Sequence, residues 1–184
     1  DRLSGQSGER LPDRELQRIG CANQTTMLSS ESLQIGEMFR AAIAARYGET
    51  EVATRFRAFD TICSATQDRQ DAVIALLAEQ PLDLMVVIGG YNSTNTYNLA
   101  RICAEKLPTY HIAEPEGIVS RREIRHKPVG TQQEVTTAEW LPANGSVRIG
   151  LTSGASTPDN LVGAVIRRLD ELANVGTGLP IPSR

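Results

Sequence analysis

Cysteine is scarce in this chain, with three in 184 residues. The three lie far apart and no Cys-x-x-Cys pair occurs, so neither zinc-ribbon nor thioredoxin chemistry has support, and no disulfide framework is expected. A reducing, cytosol-like compartment follows as the expectation. Histidine occurs only at 111 and 126. Neither position has a partner at metal-ligand spacing, which favours structural or surface roles for both. Charge of one sign is missing too: 19 basic residues stand against 22 acidic ones, intermixed, for a net charge of −3. Without a basic block or interleaved aromatics, nucleic acid is not an expected partner. No apolar run approaches the roughly 20 residues that a membrane helix needs, so no membrane association is expected. The polar, acidic opening has no signal-peptide pattern. The first residue is Asp1 rather than Met, which suits a processed, trimmed or partial chain.

What is present is an ordinary globular composition, 40% hydrophobic and 22% charged. That is enough for one or two domains with a real core. Residues 1–15 read as a polar linker. A strand is expected over Arg18–Asn23 and a helix over Ser30–Tyr47, with Ile35, Phe39, Ala42 and Ile43 on its apolar face and Gly48 at its stop. A short strand at Arg55–Phe59 precedes a helix running to about Gln80, with Val73, Leu76 and Leu77 facing inward. Leu84–Ile88 is an unbroken apolar run, as in a strand buried on both faces of a parallel sheet. A helix over Asn95–Lys106 and strands at Thr109–Ile112 and Val147–Leu151 follow. The last helix carries Thr157 as N-cap and Pro158 at its first position. Val162, Val165, Ile166, Leu169 and Leu172 form its stripe. The Gly- and Pro-rich tail over 175–184 reads as disordered. Strand–helix alternation predicts an α/β fold of parallel-sheet βαβ units. The domains are expected at 16–58, the C-terminal part of one α/β domain, and 59–174, a complete second one. Residues 113–145 are expected to form an irregular insertion, too long for a plain loop, with a small subdomain or a hairpin around Arg121–Glu134.

Four strand-to-helix turns are crowded with hydroxyl, amide and glycine residues: Gln24–Thr26, Cys63–Thr66, Asn92–Asn95 and Thr152–Thr157. Helix starts present unpaired N–H groups and the positive end of a dipole, so such turns suit anions. In a parallel α/β sheet they gather at one edge, the ligand edge. Four consecutive hydrogen-bonding residues, Asn92 to Asn95, exceed what one cap needs, and a phosphate accounts for the surplus. Gly154–Asp159 follows the same logic, with Ser156 offering a hydroxyl, although a plain capped helix start explains it equally well. Neither turn is a Walker loop or a G-x-G-x-x-G. Cys63 opens a helix, where a thiol's pKa is lowered and metal binding or nucleophilic chemistry is favoured. The competing reading is a small buried apolar residue, and the polar neighbours tilt the choice to function. Cys103, four residues after Leu99 on an inner helix face, reads as core. Cys21, inside a strand, reads as structural. Arg121–Arg122 and Arg167–Arg168 read as solvated faces.

Taken in order, ANQTTML (22–28), FDTICSATQDRQDA (59–72), VVIGGYNSTNT (86–96) and GLTSGASTPDNLV (150–162) resemble the 4-hydroxy-3-methylbut-2-enyl diphosphate reductase family. HKPVGTQQE (126–134) with EWLP (139–142) is similar to its cyanobacterial and plastid branch. The resemblance spans about residues 15–173. It implies reductive dehydroxylation of an allylic alcohol diphosphate to isopentenyl and dimethylallyl diphosphate, the last step of the non-mevalonate isoprenoid pathway. It also implies a [4Fe–4S] cluster held by three cysteines with one open iron, and a ferredoxin-type electron donor. By the same resemblance Cys63 is the last of the three cluster ligands, and Thr25 stands near the substrate hydroxyl and its proton-transfer network. Ser93, Thr94 and Asn95 match the Ser-Ser-Asn that grips the diphosphate, with Thr94 keeping the hydroxyl of the commoner serine. Ser156 matches a further diphosphate contact.

Cys21 and Cys103 match no cluster ligand. The family's other two cysteines, its histidines and its acidic proton donor lie upstream of the matched region. The expectation is therefore a portion of a three-unit architecture, supplying one cluster cysteine and the diphosphate cradle, inactive alone, and cytoplasmic or stromal. The alternative is an α/β binding module for a phosphorylated metabolite without redox activity.

Overall fold

The computed structural model of the chain describes residues 17–142 and 145–175. The expected linker at 1–15 falls outside them, as does the expected tail at 175–184 apart from Val175, which instead ends the last helix. The chain divides into two compact units after Cys63. The reading from sequence began the second domain at residue 59. The turn at 60–63 instead goes with the first unit, because Thr61 and Cys63 bond back to Asn23 and Thr25.

The first unit contains β1 (Ile19–Ala22), α1 (Ser29–Tyr47), a 3₁₀ turn, the short α2 (Val52–Arg55) and β2 (Phe56–Phe59). β1 and β2 pair in parallel, Cys21 opposite Ala58. The buried row of α1 is Ser32, Gly36 and Ile43. Ile35, expected inward, is exposed, as is Ala42. Gly36 explains the shift: a Cβ there would sit 3.8 Å from the Ala58 Cβ, so the smallest side chain lies where helix meets strand. Phe39 stacks on Phe56, ring centroids 6.2 Å apart.

The second unit contains α3 (Ser64–Glu79), β3 (Leu84–Ile88), α4 (Thr94–Ala104), β4 (Thr109–Ile112), β5 (Glu123–His126), β6 (Val135–Ala138), β7 (Ile149–Ser153) and α5 (Asp159–Val175). Its main sheet is parallel, in the order β4-β3-β7. β3 is central and wholly buried, as its unbroken apolar run requires. Its alternate side chains go to opposite faces. Met85 and Val87 pack with Val73 of α3 and with Leu99, Ala100 and Cys103 of α4. Leu84, Val86 and Ile88 pack with Val165 of α5 and with Ile118, Ile124 and Trp140 of the insertion. Helices α4 and α5 thus cover opposite faces, and the carboxyl ends of β3 and β7 flank a switch point of the sheet. Open α/β folds place ligands there.

The insertion is ordered. β5 and β6 form an antiparallel hairpin, Glu123 opposite Ala138, which reaches four residues beyond the expected span. Trp140 donates its indole N–H to the Ser120 carbonyl at 3.0 Å. Arg168, expected on a solvated face, reaches the carbonyls of Ile118 and Val119 at 3.0 and 2.8 Å and ties α5 to this segment. On α5 itself Ile166 is half-exposed, and Leu161 joins the core in its place. Among the described residues no helix is long and apolar enough to cross a membrane.

Candidate functional site

The carboxyl end of β3 is Ile88, followed by Gly89. The Ile88 carbonyl accepts two bonds from the turn after β7, from the Gly154 N–H and the Thr157 hydroxyl, both at 3.1 Å. Thr157 therefore directs its proton into the sheet end, and the Pro158 carbonyl accepts the first bonds of α5. This displaces Thr157 from its expected place as N-cap.

The gap between the two turns is filled by Thr96, wholly buried in the first turn of α4. A Cβ on Gly89 would stand 2.6 Å from Thr157 Oγ1 and 2.8 Å from Thr96 Oγ1, and one on Gly154 would overlap Thr96 Oγ1 outright. Gly89 also has φ +147°, which other residues rarely adopt. The Asn92–Asn95 and Thr152–Thr157 turns, some sixty residues apart in sequence, thus lie on either side of Thr96, which packs tightly against Gly154. Thr96 and the glycine pair are what reading the sequence missed. The only signals there were a Gly at each strand end and a threonine one place beyond the polar string.

Ser93 is the N-cap of α4, whose first residue, Thr94, comes one place before the expected start at Asn95. Its Oγ accepts the Thr96 N–H at 3.3 Å and the Thr96 hydroxyl at 3.0 Å. A serine oxygen has two lone pairs and one proton. With both lone pairs taken, the Ser93 proton is left to donate. Thr94 and Ser156 are exposed, and the Ser156 hydroxyl has no partner among the described residues. Asn95 is 4% exposed, and its amide nitrogen and oxygen both lack a hydrogen-bond partner among the described residues. A buried amide without partners costs about 1–3 kcal/mol. Such an atom pair in a folded core needs a further partner, whether water, ion or ligand.

The first unit brings its own two turns together. The Cys63 N–H donates to the Thr25 carbonyl at 3.4 Å. Thr61 Oγ1 donates to the Asn23 carbonyl and accepts the Asn23 N–H at 2.9 Å. Cys63 is exposed and stands immediately before α3. Thr25 is exposed as well. Cys103 is buried in the α4 core, where desolvation pushes its thiol up to about 12, and Cys21 is half-buried within β1. Among the described residues no three His, Cys, Asp or Glu side chains stand together as a metal site. The described residues, which include all three cysteines, therefore do not fit a complete iron–sulfur cluster. Of the three cysteines, Cys63 alone is exposed.

Both histidines are buried and structural. His111 Nε2 lies 2.9 Å from the Gly89 carbonyl, and His126 Nε2 lies 2.8 Å from the Thr137 hydroxyl. Burial lowers the pKa of each.

The pattern that defines the family described as "LytB protein" matches residues 4–170. The chain belongs to the LytB family. Among curated relatives of this LytB-family chain, the 4-hydroxy-3-methylbut-2-enyl diphosphate reductase of Gloeobacter violaceus is 51% identical over 166 residues. The protein of the same name from Synechococcus sp. strain RCC307 is 52% identical over 166 residues. Both alignments cover 90% of this chain but only 39% and 40% of those proteins. The LytB-family chain thus spans about 40% of the length of the curated relatives it matches. A solved structure, of (E)-4-hydroxy-3-methyl-but-2-enyl diphosphate reductase, the terminal enzyme of the non-mevalonate pathway, is 32% identical, with a TM-score of 0.48 over 85% of this chain and 45% of its own.

Proposed function

We propose that this chain is the diphosphate-gripping portion of a 4-hydroxy-3-methylbut-2-enyl diphosphate reductase. That oxidoreductase removes the allylic hydroxyl of its substrate and yields isopentenyl and dimethylallyl diphosphate. The observation that carries the reading is Asn95, a buried amide with both polar atoms unmatched at the head of α4. A diphosphate oxygen can accept from its amide nitrogen. The Ser93 proton, the Thr94 and Ser156 hydroxyls and the unpaired first-turn N–H groups of α4 add donors, and the helix dipole favours the negative charge.

In this reading Cys63 would be one thiolate ligand of a [4Fe–4S] cluster completed by other parts of the enzyme, and that cluster would pass on the electrons of the reduction from a ferredoxin-type donor. Thr25 offers its hydroxyl near the substrate alcohol and its proton-transfer network. The remaining ligands and the proton donor belong to other parts of the enzyme, and the 184-residue chain by itself has no turnover. Its place is the cytoplasm, or the stroma in a plastid-bearing source.

The test is an amide-shift titration of the isotope-labelled chain with pyrophosphate, alongside urea unfolding. The native chain binds, with shifts at Ser93, Asn95 and Ser156. Asn95→Ala lowers affinity about tenfold or more yet costs little stability without ligand, because the unmatched amide is removed. A native chain indifferent to pyrophosphate overturns the reading. So does an Asn95→Ala variant that binds normally.

A further inference from the structure

The residues assigned to the diphosphate, Ser93, Thr94, Asn95 and Ser156, are all uncharged, whereas a diphosphate carries several negative charges. On the side of α4 that faces the insertion lies a cleft of about 300 Å³. Tyr91, Ser93 and Thr94 form one wall, and Lys127, Thr131 and Gln132 from the hairpin loop form the other. Lys127 is the cationic side chain of that lining. Its backbone is pinned at the ligand edge, since its N–H donates to the His111 carbonyl near the end of β4 at 2.9 Å.

The loop beyond it is braced by Thr131, whose hydroxyl lies 2.9 Å from the Pro128 carbonyl and 3.1 Å from that of Gln133. The carboxylate that could neutralise Lys127 is engaged elsewhere: Glu134 accepts the Tyr91 hydroxyl at 2.7 Å and faces Arg125 at 3.8 Å. Lys127 has no ion pair among the described residues. Its ammonium lies 5.8 Å from the Tyr91 ring centroid, a contact that positions a cation without cancelling its charge.

We propose that the β5–β6 hairpin carries the cationic wall of the anion site, with Lys127 contacting a phosphoryl group held at the Ser93–Thr94 turn. The ligand class is a phosphoryl or diphosphate group. The proposal rests on the diphosphate reading above and extends it to a residue of the insertion. A charge-assisted contact is about twice as strong as a neutral one and weakens with salt.

The experiment is the pyrophosphate titration of the whole 184-residue chain at low and high salt, for the native protein, Lys127→Met and Lys127→Arg. Methionine keeps the apolar stem, so folding is preserved while the charge is lost. Lys127→Met weakens binding about fivefold or more and flattens its salt dependence, Lys127→Arg stays within about twofold of native, and in the native chain the amides of Lys127 and Thr131 shift with those of Ser93 and Thr94. Native-like affinity and salt dependence in Lys127→Met, with Ser93 and Asn95 still responding, overturns this proposal and leaves the diphosphate reading standing. No binding by the native chain overturns that reading, and this proposal with it.

Discussion

A single oxygen decides the junction of β3, β7 and α4. Thr96 Oγ1 occupies the space a Cβ on Gly154 would need, and it is also the donor that saturates Ser93. Gly154→Ala should therefore destabilise the second unit by about 1–3 kcal/mol, the usual cost of overpacking. Adding Thr96→Ala should recover much of that loss, since it removes the colliding atom. Urea unfolding of both single variants and the double variant reads the coupling. Strict additivity would contradict the geometry.

The histidines make a second residue-scale prediction. His111 lies below its ordinary value of 6.5 chiefly because burial penalises the imidazolium, against the pull of the Gly89 carbonyl and with repulsion from Lys127. His126 is lowered by burial first and by His111 second. Unfolded, both take up protons near pH 6.5, whereas folded they resist until lower pH. The stability from neutral imidazole is thus full above about 6.5 and is lost as pH falls through the lowered folded values. The unfolding midpoint should drop from about pH 7.5 to about pH 5, less steeply in His111→Gln. A flat profile would show that neither ring titrates differently on folding.

At the scale of elements, α4 separates two roles that one hydroxyl performs. Ser93 caps the helix and, in the proposed site, would also give its proton to the anion. Ser93→Ala should cost about 1 kcal/mol of stability and also weaken pyrophosphate binding. Ser93→Asp should keep the cap, since aspartate is as good an N-cap, yet abolish measurable binding by repulsion. A Ser93→Asp chain that binds pyrophosphate as well as native would remove Ser93 from the anion site.

The same helix shows what sequence makes legible. Its polar string and the apolar run before it mark strand, turn and helix, because burial and capping are local demands. Which face α1 buries was misread, because a glycine and not an apolar residue meets Ala58. The hairpin was placed short because its pairing is set by cross-strand register, Glu123 to Ala138, which no local periodicity records. Arg168 reads as part of a solvated face, and only a tertiary neighbour, the Ile118 carbonyl, gives it work.

For the whole molecule the decisive quantity is the number of thiolates that can meet. An iron–sulfur cubane with an open iron needs three, and a closed one needs four. Here Cys103 is locked in the core of the second unit with its thiol pKa at about 12, Cys21 is half-buried in a paired strand, and only Cys63 is exposed. Reconstitution of the 184-residue chain with iron and sulfide under anaerobic conditions should leave well under one cluster per chain after desalting. Thiol alkylation under native conditions should modify Cys63 readily and spare Cys103 until the chain is unfolded. The proposed diphosphate grip has a different dependence, since the turns after β3 and β7 lie within one compact unit and need no cluster to form. Pyrophosphate should therefore bind equally well before and after the iron treatment, and equally well in Cys63→Ser. A stoichiometric four-iron cluster on this chain, or a pyrophosphate affinity that rises with iron content, would show that anion grip and metal centre are assembled together and not in separate parts of the polypeptide.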